Sequence, residues 1–134
     1  MYLFHISKGF YTICAATRSQ ERCELLNFFE SLGPNLQKDL DRMLALFERV
    51  VLEGPPRNTE ISHQIKGKLF EFIQGRLRVL WFYDEGRLII CTSGFVKKGQ
   101  KAPRNEIENA MLIMREYFED KKSGEIKICK EEGV

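Results

Sequence analysis

Two histidines and four prolines are all that 134 residues contain of those types. The four cysteines, Cys14, Cys23, Cys91 and Cys129, include no C-x-x-C pair, and no histidine pair accompanies them. That argues against a zinc site or a disulfide framework and leaves reduced thiols as the plain reading. No run approaches the roughly 18 apolar residues of a membrane span, and the apolar patch in MYLFHISKGF is far shorter than a secretory h-region. A soluble, cytoplasmic protein with no membrane partner is therefore expected. A Gly-rich phosphate loop, a paired-carboxylate motif, a nucleophile elbow and metal-ligand spacing are all missing as well. No metal and no cofactor is expected.

Charge of one sign is not in excess: 21 Lys/Arg stand against 19 Asp/Glu, a net charge of +2. Its distribution is uneven. Residues 1–66 are balanced, residues 67–104 hold eight basic and three acidic residues, and residues 105–134 hold five basic and eight acidic ones. A central basic block attracts a polyanion even when the whole chain is near neutral. Hydrophobic residues make up 43% and include ten Phe, enough for one two-layer core. One domain over residues 1–134 is expected, with its core at about 8–120 and a tail at 121–134.

Hydrophobic spacing gives a coarse element order. Phe10-Tyr11-Thr12-Ile13-Cys14 reads as a first strand. Leu25, Phe28, Phe29 and Leu32 recur at helical spacing over residues 20–32, after a capping Ser19 and before Gly33-Pro34. Leu36, Leu40, Met43, Phe47 and Val50 mark a second amphipathic helix. Residues 55–67 read as a polar connector. Strands follow at 69–73, 76–83 and 87–95, separated by turns short enough for an antiparallel meander. Ile107, Met111, Met114 and Phe118 stripe a third helix, capped by Asn105 or opened by Pro103. Residues 125–129 offer a last short strand. The expected fold is thus α+β, β-α-α-β-β-β-α, with helices on one face of a small antiparallel or mixed sheet and the other face partly open.

On the strand at 76–83, alternation places Leu77, Val79, Trp81 and Tyr83 on one face and Arg76, Arg78, Leu80 and Phe82 on the other. Lys68 opens the neighbouring strand, and Lys97 and Lys98 end the other neighbour. Such a meander brings these cations towards one surface, where they suit a phosphate; the plain alternative is that they are solvated and blunt the sheet edges. Glu71 reads as an ion-pair partner of Arg78 or a general base. His63, in the connector, has the right chemistry for acid–base work near neutral pH, with His5 a weaker candidate. Trp81 and Tyr83 share Val79's face and are expected in the core.

These residues resemble a known family. Leu69-Phe70-Glu71-Phe72, Arg78-Val79-Leu80, Gly94-Phe95-Val96-Lys97-Lys98, Lys101-x-Pro103 and Glu106-Ile107-x-x-Ala110 are similar to the phage-derived branch of the RelE/ParE toxin superfamily, to which HigB toxins belong. The match covers about residues 60–118, and the two preceding helices fit that family's N-terminal helical hairpin. The resemblance implies the toxin of a type II toxin–antitoxin pair, acting as a metal-independent, ribosome-dependent mRNA endonuclease. It further implies as partners a helix-turn-helix antitoxin, the ribosome and mRNA. In such an enzyme a ribose 2′-hydroxyl attacks the adjacent phosphate while cations stabilise the developing charge. Carried over, Arg78, Lys97, Lys98 and Glu71 are the implied catalytic residues, and Lys68, Arg76 and Lys101 the implied RNA contacts. Two positions depart from the pattern: Ile73 stands where the family has arginine, and Ala102 where it has threonine or serine. A ParE-like inhibitor of gyrase, and an inactive member that only binds an antitoxin-like partner, are the alternatives.

Overall fold

The computed structural model describes residues 1–100 and 103–129. The order is β1 (Tyr2–Lys8), β2 (Thr12–Thr17), α1 (Glu24–Glu30), a 3₁₀ turn (Pro34–Leu36), α2 (Gln37–Glu53), β3 (Ser62–Lys66), β4 (Leu69–Gln74), β5 (Leu77–Tyr83), β6 (Leu88–Val96), α3 (Arg104–Lys122) and β7 (Lys127–Cys129). All seven strands form one mixed sheet, ordered β3-β4-β5-β6-β2-β1-β7. The α+β class holds, but the sheet is larger than expected and two strands precede α1. β3 lies within the stretch read as a connector.

The meander β3-β4-β5-β6 is antiparallel, as its short turns require. β2 then pairs with β6 in parallel, and β1 pairs antiparallel with β2 and parallel with β7. The last of these strands matches the short strand expected at 125–129.

On one face, Val79, Trp81, Phe72, Ile13 and Ile89 pack with Leu25 and Phe29 of α1 and with Met43, Phe47 and Val50 of α2. Trp81 is the hub, stacked between Phe70 and Phe72 at centroid distances of 4.8 and 4.6 Å, the offset geometry that aromatic quadrupoles favour. Tyr83 is not core: it lies 40% exposed at the end of β5, edge-on to Trp81.

The helical hairpin is not formed as expected. α1 is only seven residues long, starts at Glu24 with Cys23 rather than Ser19 at its N-cap, and seats on β6. Gly94 makes that close approach possible, since a Cβ there would lie 2.7 Å from the Phe28 ring. α2 instead lies across β4, β5, β1 and β2.

The opposite face is also covered. Ile113, Met114 and Tyr117 of α3 pack on Leu3, Cys14, Phe82 and Ile90, and Ala110, with Ile107 beside it, packs on Leu69, Leu80 and Phe95. Pro103, not Asn105, takes the N-cap position of α3, with no side-chain cap. α3 lies mainly over β6, β5 and β2, and the β3–β4 side of this face extends past it.

Candidate functional site

The edge of that margin, beside α3, holds the charged cluster. Glu71 on β4 and Arg78 on β5 share the face of Leu69 and Leu80, where α3 begins to cover the sheet. Both are buried, at 5% and 9% exposure. Arg78 Nε lies 3.8 Å from Glu71 Oε1. Arg78 Nη1 donates to the carbonyls of Gly75 at 2.7 Å and Leu77 at 3.0 Å. These two bonds fix the guanidinium, while its buried Nε has no hydrogen-bond partner among the described residues. A buried donor without a partner is uncommon and calls for an explanation.

His63 completes the cluster. It lies on β3 directly opposite Glu71, not in a connector. Its Nδ1 is 2.9 Å from the Thr59 carbonyl, which can only accept, so Nδ1 carries a proton. Its Nε2 is 3.3 Å from Glu71 Oε1. An imidazole and a carboxyl, two groups able to exchange a proton, thus meet beside a cation.

Burial pushes the Glu71 carboxyl above its ordinary range, opposed in turn by His63, Arg78 and Lys97. Burial likewise pulls the Arg78 guanidinium below its usual value, opposed by Glu71 and Asp39. A carboxyl whose desolvation outweighs its charge partners is a marker of functional sites.

The other basic residues are spread around this pair. Lys97 is half-buried just past β6, its N–H bonded to the Arg76 carbonyl at 2.8 Å, and its charge reaches Glu71. Lys98 is exposed beyond it. Arg76 is exposed in the β4–β5 turn, where its own N–H donates to Asp39 of α2 at 3.0 Å. Lys68 is exposed in the β3–β4 turn, at the rim of an 850 Å³ groove shared with Lys66, Ile107, Met111 and Phe118. None of Lys68, Arg76 and Lys98 bonds to Glu71 or Arg78 among the described residues. Lys101 and Ala102 lie outside the described residues. Ile73 sits directly across from Arg78, so the arginine absent from the family pattern would be its immediate neighbour.

Sequence reasoning singled out His63 but not its contact with Glu71. Ser62–Lys66 is a polar edge strand, and only Ile65 gives it β character, so no local signal separates it from a loop. Among the described residues no cluster of three or more His, Cys, Asp or Glu side chains could hold a metal ion. No helix among them is long and apolar enough to cross a membrane.

An α+β fold with a buried Glu–Arg pair and a half-buried histidine at the margin of a mixed sheet is the class the geometry defines. Residues 27–115 match the family of phage-derived Gp49-like proteins (DUF891), and the chain belongs to that family. No curated protein matches the chain.

Proposed function

We propose that the protein is the toxin of a type II toxin–antitoxin pair and that it cuts mRNA on the ribosome. Membership of the Gp49-like family supports the first part, because that phage-derived family is related to toxin–antitoxin toxins. The observation that carries the second is the pairing of buried Arg78, its Nε without a hydrogen-bond partner among the described residues, with the Glu71–His63 contact beside it. Arg78, Lys97 and Lys98 hold the scissile phosphate and stabilise the charge that grows on it. Glu71, its charge disfavoured by burial, takes the proton of the attacking 2′-hydroxyl as the bond from phosphorus to the 5′-oxygen breaks; the proton passes by way of His63 Nε2 to that departing oxygen, leaving a 2′,3′-cyclic phosphate. Lys68, Arg76 and Lys101 contact the RNA away from the bond that breaks. A helix-turn-helix antitoxin is the proposed partner.

The test is induced expression in a bacterial host without the antitoxin, with mRNA ends mapped. Growth arrest with new cuts inside translated messages is the expected result, and Arg78→Ala should abolish the cuts while leaving a folded protein. Arrest with intact messages and damaged DNA would point instead to a gyrase inhibitor. A second reading, an inactive member that binds only its antitoxin-like partner, is favoured by Ile73 facing Arg78 where a second cation would sit. On that reading the wild type leaves messages intact, and Ile73→Arg gains cleavage.

A further inference from the structure

A second group of cations lies at the other end of the sheet. Lys8 ends β1, Thr12 begins β2 and Arg87 immediately precedes β6, so strand pairing brings the three together. With His5 and Phe10 they line a cavity of about 380 Å³ whose apolar part includes Cys14. No carboxylate lines it. Among the described residues no ion pair neutralises His5, Lys8 or Arg87. Cations gathered around a concavity without compensating acids concentrate anions there.

The rim of this cavity is anchored. Gly9 approaches α2 so closely that a Cβ would come within 2.8 Å of the Val51 carbonyl oxygen. The Tyr11 N–H donates to that same carbonyl at 2.7 Å, and the Thr12 N–H donates to the Arg87 carbonyl at 3.0 Å. These contacts hold the turn carrying Lys8 and Phe10 against the turn carrying Arg87. Phe10 is 62% exposed, and the Arg87 guanidinium lies 3.7 Å from its ring centroid. A guanidinium stacked on an exposed ring makes a flat cationic platform. Single-stranded nucleic acids bind such surfaces with the base on the π-face and the phosphate on the cation.

We propose that this cavity binds a nucleotide, with Lys8, Arg87 and His5 taking the phosphate and the Phe10–Arg87 platform taking the base. The same chemistry recognises a free mononucleotide or one nucleotide of an RNA strand. The strand form rests on the function proposed above; the nucleotide site itself does not.

The full-length protein titrated with adenosine monophosphate, and separately with a short 2′-O-methyl RNA that it cannot cut, tests this by amide chemical shifts and calorimetry. Shifts centred on His5, Lys8, Phe10, Thr12 and Arg87 are expected. The double variant Lys8→Gln/Arg87→Gln should weaken binding by about tenfold or more, as loss of charge-assisted hydrogen bonds does. Phe10→Ala should weaken both ligands yet leave binding of inorganic phosphate unchanged. Binding of both ligands marks a mononucleotide site, and binding of the strand alone marks a stretch of an RNA track. Absence of shifts at these residues with either ligand overturns the proposal, as does binding that the double variant leaves intact. Arg57 lines a different pocket, so Arg57→Gln should leave binding of adenosine monophosphate unchanged. A protein that binds here but cuts no message would sink the nuclease reading alone, and a protein that cuts but does not bind here would sink this site alone.

Discussion

Glu71 carries a charge that its surroundings disfavour. Its carboxyl is raised above the ordinary value of 4.5 because burial outweighs His63, Arg78 and Lys97. A group with a raised folded-state pKa favours folding most when protonated. That contribution is complete below the unfolded value and is lost as pH rises through the folded one. Near neutral pH, ionised Glu71 therefore destabilises the fold. Glu71→Gln mimics the protonated state, so it should melt at the same temperature as the wild type or higher near neutral pH. The gap should close below pH 4.5, where the wild-type carboxyl is itself protonated. Thermal melts across that range check this. The same substitution should lower message cleavage by roughly 10²–10⁴-fold, the usual worth of a general base. Stability gained and activity lost at one residue is the trade expected of a functional group held against its preference. The identity of this residue was legible in the sequence, since alternation put Glu71 and Arg78 on neighbouring strands with an ion pair as one reading. Its partner His63 was not, because the contact depends on a strand that local pattern does not declare.

The elements that could be read were those whose hydrophobic period is strong. α2, with Met43, Phe47 and Val50 buried on one side, and α3, β5 and β6 stand close to where spacing placed them. α1 was read too long, because residues 20–23 continue a helix-compatible pattern and their release from the helix is set by how α1 docks. That docking rests on Gly94 of β6. Gly94→Ala would force a methyl into the Phe28 ring and crowd the Arg78 carbonyl at 3.2 Å. Overpacking of this kind costs about 1–3 kcal/mol. A double-mutant cycle with Phe28→Ala should show coupling, with the alanine at 94 costing less once the ring is gone. Chemical denaturation of the four proteins measures it. Additive losses would mean that α1 does not depend on this contact. The change should also disturb the site, since the carbonyl involved belongs to Arg78.

At the scale of the molecule, the sheet order is what sequence withholds. Nothing local in Thr12–Thr17 says that this strand lies beside Leu88–Val96, because a parallel pairing across more than half the chain leaves no mark on the spacing within either strand. Tyr2–Lys8 was passed over for another reason: only Leu3 of it is buried, so it shows no clean alternation, and its second partner β7 comes from the far end of the chain. The family match spans residues 27–115 and so contains neither of the first two strands. Yet Leu3, Ile13, Cys14 and Ala15 are buried, and β2 is an interior strand. A fragment of residues 27–115 should therefore expose the flank of β6 and fail to unfold cooperatively. Circular dichroism melts decide this, and a sharp transition in the fragment would show that the first two strands are an accessory to the fold.

The pairing of β2 with β6 also sets an order of events during synthesis. A ribosome makes β1 and β2 early, but β6 follows only after well over half of the chain, so one edge of β2 must wait unpartnered. Long-range pairings of this kind form slowly and late. Lys97, which follows directly on β6, takes its place beside Glu71 only once that strand has docked. The candidate site is thus among the last parts of the fold to be completed as the chain is made.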